Sequence, residues 1–196
     1  MIFQISTFAL ITIFYIVYFI KQILLRKKGI RTNRLAKGLK PQKTAAVETA
    51  LLSATYSIAA IQYASIFFSH YMLSPTFPTG VRWLGTAFTL GGVIFFVLAI
   101  TSMRDSWRAG VDETQKTSIV TRGIYKVSRN PAFVGFDMLY IGSAISLSGV
   151  IMIAAALIGI LLLHFQILEE EKYLPRAFGD EYLRYKNSTP RYLLFF

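Results

Sequence analysis

Cysteine is absent from the chain, so disulfides, thiolate metal sites and cysteine nucleophiles are excluded. Histidine is scarce. The two in the chain, His70 and His164, both fall in apolar segments, which argues against a histidine metal site and against a Ser-His-Asp triad. Acidic residues are few as well, 10 Asp and Glu against 21 Lys and Arg. Such an imbalance suits either nucleic acid or anionic lipid as a partner. Neither an internal repeat nor a low-complexity tract is visible. What the chain has in plenty is apolar surface: 54% of its 196 residues are hydrophobic and the mean hydropathy is +0.50. A body of this size cannot hide so much from water, so most of it must face lipid.

Five apolar segments carry that surface. Ile2 to Leu25, Ala45 to Leu73 and Val81 to Met103 each have the roughly 20 residues that cross about 30 Å of hydrocarbon. The fourth, Ala132 to Leu147, has 16 residues and would reach roughly 24 Å as a helix. The fifth, Val150 to Leu168, follows after Ser148 and Gly149 alone, so the last two segments form a tight antiparallel hairpin. Backbone groups in lipid must be paired within the segment, which makes helix the only sensible conformation. The first stretch has no basic leader and ends in charges rather than at a small-residue cleavage site, so it reads as a retained span.

Charge sets the orientation. Eight Lys and Arg and no acid lie between Arg26 and Lys43, six more between Arg104 and Asn130, and five after Leu168, whereas Ser74 to Gly80 has none. Thus 19 of the 21 basic residues lie in connections that five crossings put on one side. The positive-inside rule makes that side cytoplasmic and the N-terminus external. A basic loop beside a span is a topology and headgroup signal, which removes nucleic acid as a partner. The expected class is an all-α integral membrane protein, multi-pass in an inner or plasma membrane or its equivalent. It divides near residue 104: 1–103 form a three-helix membrane region, and 104–196 carry the hairpin, the tail and nearly all the unusual chemistry.

Three features stand out in that second region. The stretch IVTRGIYKVSRNPAFVG leads straight into the fourth span, with Asn130 suited to N-cap it and Pro131 to its first turn. A helix N-terminus beside Arg129 is also a place for an anionic group such as a carboxylate. Glu169, Glu170 and Glu171 lie where the fifth span ends, and the hairpin returns them towards Arg129 and Asn130. That meeting of charges is either an ion pair or a grip on a zwitterion. Finally, EKYLPRAFGDEYLRYKN sets Tyr173, Phe178, Tyr182 and Tyr185 among charges, as amphipathic pieces broken near Pro175 and Gly179. Interfacial packing explains those aromatics; a lid over a site is the sharper alternative.

GIYKVSRNPAFVG resembles the G-x-Y-x-x-x-R-[HN]-P-x-[YF]-x-G signature of the isoprenylcysteine carboxyl methyltransferase family, which is related to membrane phospholipid methyltransferases. The later EEEKYLPRAFGDEYLRYK is similar to the ending of the same family. The likeness runs over roughly residues 104–192. It implies S-adenosylmethionine bound at the cytoplasmic face and a lipidic or small hydrophobic acceptor, with no metal. Carried over by residue, the cofactor contacts are Thr117, Ser118, Ile119 and Val120, then Tyr125, then Asn130, Pro131, Ala132 and Phe133, and finally Glu170 taking the ammonium of the methionine moiety. Arg129 is the candidate for its carboxylate. Glu169 and Glu171, about 100° to either side on a helix, are poorer candidates.

The same resemblance shows departures. Members that methylate prenylcysteine carry Arg four residues before the glutamate matching Glu170, placed to hold the acceptor carboxylate; here it is Gln166. Asn130 stands for the commoner His and Phe133 for Tyr. Asp137, an acid inside the fourth span, is a functional suspect by its cost alone, although a carboxylate snorkelling to the membrane edge is the plainer reading. The catalytic group is open between Asp137 and Gln166, and Gln166 is also the candidate acceptor contact. Should the acceptor be an amine, Asp137 and Glu171 are candidate bases. Other readings are a methyltransferase for phospholipid amines or small thiols, a sterol-type membrane reductase, and a non-enzymatic channel or transporter component.

Overall fold

A computed structural model describes residues 2–32, 34–38, 40–68, 77–108, 110 and 118–194. Five α-helices account for most of them: α1 (Ile2–Lys27), α2 (Gln42–Phe67), α3 (Thr79–Met103), α4 (Pro131–Leu147) and α5 (Val150–Ser188). Two 3-10 turns, Arg104–Ser106 and Gly123–Lys126, lie between α3 and α4. The chain is all-helical among the described residues, as its apolar runs demand. Four of the helices are long and apolar enough to cross a membrane, and α4 is a shorter apolar helix. Ser148, with φ 57°, turns the chain back after α4, so α4 and α5 form the expected hairpin.

Some boundaries differ from those read off the apolar runs. Helix α2 starts at Gln42 rather than Ala45, because helical hydrogen bonding does not stop where side chains become polar. Its expected end at Leu73 lies outside the described residues. Helix α5 runs on past Leu168 to Ser188 and keeps Pro175 inside it. The break comes at Gly179, whose φ of 53° and ψ of −135° suit a residue without a Cβ.

The closest packing is between α3 and α4. A Cβ on Gly92 would lie 2.7 Å from the Gly135 carbonyl oxygen, and one on Gly142 would collide with Thr89. Small residues let the two backbones touch, which is how helices associate where no hydrophobic effect drives them together. The remaining helices gather around aromatic rings. Phe14 of α1 lies 4.4 Å from Phe96 of α3 and 4.8 Å from Phe136 of α4, centroid to centroid. Buried polar links pin the bundle: Thr7 to Ser146 at 2.7 Å, Tyr15 to Gln62 at 2.8 Å, and Gln62 to Ser143 at 3.0 Å. Half-exposed Ile16, Ile20 and Ile23 on α1, with Leu157, Ile158 and Leu161 on α5, form the outward apolar face.

One end of the bundle gathers the charged connections. Lys28, just past α1, pairs with Asp105, just past α3, at 2.9 Å. Thr44 in the first turn of α2 donates to Glu169 of α5 at 2.8 Å. Buried Glu48 of α2 accepts from Lys40 and from the Ala36 N–H, folding the basic loop inward.

Replacing Gly142 by Val should force α3 from α4 and cost about 1–3 kcal/mol. Gly80→Ala, where a Cβ meets nothing within 4 Å, should be neutral. Thermal unfolding in detergent checks the pair, and equal melting temperatures would refute the close-contact account.

Candidate active site

The loop entering α4 is built from its own short-range geometry. Gly123, at φ 64°, opens the 3-10 turn that buries Tyr125. The Tyr125 carbonyl accepts from the Tyr185 hydroxyl at 2.6 Å. Ser128 is fully buried and accepts from the Asn130 N–H at 3.0 Å. Asn130 does precede α4, but its side chain does not cap the helix; the amide donates instead to the Arg191 carbonyl at 3.1 Å. Pro131 takes the first helical position. The N–H groups of Ala132 and Phe133, in the first turn, have no intrahelical acceptor.

The C-terminal tail is sewn onto this loop. The Arg129 N–H donates to the Pro190 carbonyl at 2.9 Å, and its guanidinium donates to the carbonyls of Lys186 and Thr189 and to Glu171 at 2.6 Å. Glu171 also accepts from Arg191 at 2.6 Å. Contact with Glu171 raises the pKa of Arg191 above its usual range. The side chains of Arg129 and Glu171 are both about nine-tenths buried. Arg129 thus makes an ion pair and holds the tail while it lines the cavity above the tail, and its buried Nε takes no partner among the described residues.

Above the tail lies a polar-rimmed cavity of about 180 Å³. Of the residues expected at a cofactor, Ser118, Ile119, Val120, Tyr125, Arg129, Asn130, Ala132, Phe133 and Glu170 line it. Pro131 is buried beside it without lining it, and Thr117 lies outside the described residues. Tyr173, Phe178, Tyr182 and Tyr185 of the tail complete the wall. Burial pushes the Tyr125 phenol well above its ordinary pKa, so it stays a neutral hydrogen-bonding group.

A second, more apolar cavity of about 240 Å³ opens between α1, α2, α4 and α5. Tyr15, Tyr18, Leu51, Thr55, Phe136, Leu163 and Gln166 line it. The two cavities share Trp107, Arg108, Gly110, Ala132, Phe133 and Glu170. Glu170 therefore stands in the dividing wall. The Gln166 amide donates to its Oε1 at 3.0 Å, while the Gln166 carbonyl oxygen is buried and takes no hydrogen bond. Glu169 faces Thr44 and Lys172 instead, on another side of α5.

Asp137 lines neither cavity. It lies one turn beyond Phe133 on α4, and its Oδ1 is buried and takes no hydrogen bond among the described residues. Its charge is felt in the tail: Tyr192 has its pKa raised to about 12 by burial first and by Asp137 next. Two residues that matter, Trp107 and Arg108, carried no signal in the sequence, because a connection between helices shows its neighbours only after folding.

A lipid-facing helical bundle with a polar cavity and an apolar cavity meeting at one carboxylate is the architecture of a membrane-embedded two-chamber protein. Residues 81–181 match the family described as Phospholipid methyltransferase, and the chain belongs to that family of integral membrane proteins. It is also 35% identical over 75 residues to the Protein-S-isoprenylcysteine O-methyltransferase of Schizosaccharomyces pombe, a match covering 37% of this chain and 31% of that one. The chain thus covers about a third of that relative's length.

Breaking a buried ion pair by removing one partner costs on the order of 3–5 kcal/mol. Glu171→Ala should therefore lower the melting temperature and speed hydrogen exchange at residues 189–192. Unchanged exchange there would mean that the tail is held by other contacts.

Proposed function

We propose that this chain is an S-adenosylmethionine-dependent methyltransferase acting on a lipidic acceptor where its basic loops meet the membrane, a side the positive-inside rule makes cytoplasmic. The observation that carries the reading is the pair of cavities sharing Glu170 in their common wall. The polar cavity takes the donor and the apolar one the acceptor. In this reading residues 104–196 supply most of the donor cavity, and residues 1–103 supply much of the acceptor cavity through Tyr15, Tyr18, Leu51 and Thr55.

The side chains fit a methionine zwitterion. Glu170 offers a carboxylate for the ammonium, and the exposed N–H groups of Ala132 and Phe133 offer donors for the carboxylate at a helix N-terminus. Arg108, on the shared wall and donating to the carbonyls of Asp105 and Trp107, adds positive charge there beside Arg129. Ser118, Ile119 and Val120 would line the nucleoside, with Thr117 beside them, and Tyr125 and Asn130 close the cavity. Pro131 shapes the helix start. When bound, the sulfonium supplies an electrophilic methyl group.

The work left to the protein is alignment, because a displacement at a methyl carbon depends on holding nucleophile, carbon and leaving sulfur in line. Gln166 fixes the Glu170 carboxylate from the acceptor side. Phe133, Ala132 and Trp107 keep water from the junction. Calorimetric titration of detergent-purified protein with S-adenosylmethionine should show saturable binding. Glu170→Ala, which removes a hydrogen bond to a charged group, should weaken it about tenfold or more. Absence of binding, or indifference to that substitution, refutes the reading.

A further inference from the structure

Glu48 is the first acidic residue of the chain, after nine basic ones. It is fully buried near the start of α2. Thr44, one turn earlier, donates to Glu169, which sets this end of α2 beside the glutamates of α5. Leu51, Leu52 and Thr55, on the same stripe of α2 as Glu48, line the apolar cavity. The Glu48 Oε2 accepts from the Ala36 N–H at 2.8 Å and from the Lys40 ammonium, which also donates to the Arg34 carbonyl at 2.8 Å. Both side chains of this ion pair are buried.

The pair lies directly behind the wall that the two cavities share. Gly110 belongs to that wall with Glu170, and a Cβ built on Gly110 would lie 3.1 Å from the Glu48 Oε1. Both charges reach Glu170, Glu48 by repulsion and Lys40 by attraction. Arg108 stands on the same wall, where its guanidinium donates to the carbonyls of Asp105 and Trp107.

Fastening the loop does not call for a charge at residue 48. A glutamine carbonyl could accept from Ala36 and Lys40 as well. Burying an ion pair costs desolvation that its attraction seldom exceeds. The charge answers a different need. Lys40 carries its ammonium on a flexible four-carbon stem, and without Glu48 that ammonium would be drawn to a carboxylate of the wall. The acids that line the two cavities among the described residues are Glu170 and Glu171, and Glu171 is already held by Arg129 and Arg191. Glu170 is the one left for Lys40 to take.

We propose that Glu48 is a positioning residue for the donor site: by engaging Lys40 it keeps that ammonium off Glu170, so that the Glu170 carboxylate stays open to the cationic end of S-adenosylmethionine. The inference rests on the methyltransferase reading. It gives the connection between α1 and α2, outside the residues 81–181 that match the family, a part in donor affinity.

Calorimetric titration of three variants with S-adenosylmethionine tests this. Glu48→Gln releases Lys40 to occupy Glu170 and should weaken binding about tenfold, the worth of one hydrogen bond to a charged group. Lys40→Met breaks the same ion pair yet sends no cation to Glu170. Glu48 then either stays charged and adds attraction for a cation or takes up a proton and adds none, so binding should stay level or tighten. Both single variants should melt lower than the unsubstituted protein, because each removes one partner of a buried pair. Stability and affinity therefore part company in Lys40→Met. The double variant, with no ammonium to compete, should bind like the unsubstituted protein. Arg108 is the same in all four proteins, so its charge cancels from the comparison. Equal weakening by both single substitutions means that the pair only holds the loop, and overturns the proposal. Unweakened binding by Glu48→Gln, or a double variant as weak as Glu48→Gln, overturns it too, and each of these leaves the methyltransferase reading standing. If the unsubstituted protein binds no S-adenosylmethionine, that reading falls and this inference falls with it.

Discussion

The buried pair of Arg129 with Glu171 joins three pieces of chain that the fold must bring to one place. Arg129 belongs to the loop before α4, Glu171 to α5, and the carbonyls that Arg129 also serves belong to the tail. Two buried charges attract strongly only when their remaining hydrogen-bonding capacity is used. Here Arg191 and the carbonyls of Lys186 and Thr189 use most of it, with the Arg129 Nε left over. Because Glu171 is held, the next residue along α5 has its direction set as well. Glu170 is turned into the wall between the cavities, and Glu169 is turned towards Thr44. One ion pair thus assigns three adjacent glutamates to three different tasks.

The same economy governs the membrane part. Helix α4 is short, and its glycines sit against α3, so its position along α3 is fixed. The two-residue turn then obliges α5 to run back beside it. Close backbone contact on one face leaves room on the other, where α1 and α2 stand off and the apolar cavity opens. The bundle is therefore tight between α3 and α4 and open between α1, α2, α4 and α5.

Much of this was legible in the residues. The apolar runs marked the helices, Ser148-Gly149 marked the hairpin, and GIYKVSRNPAFVG with the glutamate run marked where chemistry would gather. Nine of the expected contacts do line one cavity. Arg129 was legible as important but not as spoken for, because its claimants, Glu171 and the tail carbonyls, lie 42 to 60 residues away. Asp137 drew notice through its cost in a membrane, yet its direction on α4 depends on which face of that helix the bundle covers.

By itself the sequence determined the membrane class, the helical conformation and the order of the chemical groups, since hydropathy, backbone pairing in lipid and local turn geometry act over a few residues. Only the tertiary structure decided which charges are free. It left Glu170 in a shared wall, committed Arg129 to the tail, and isolated the carbonyl of Gln166 in an apolar cavity. Those outcomes follow from distances between residues far apart in the chain, and a hydrogen bond is made or withheld by distance alone.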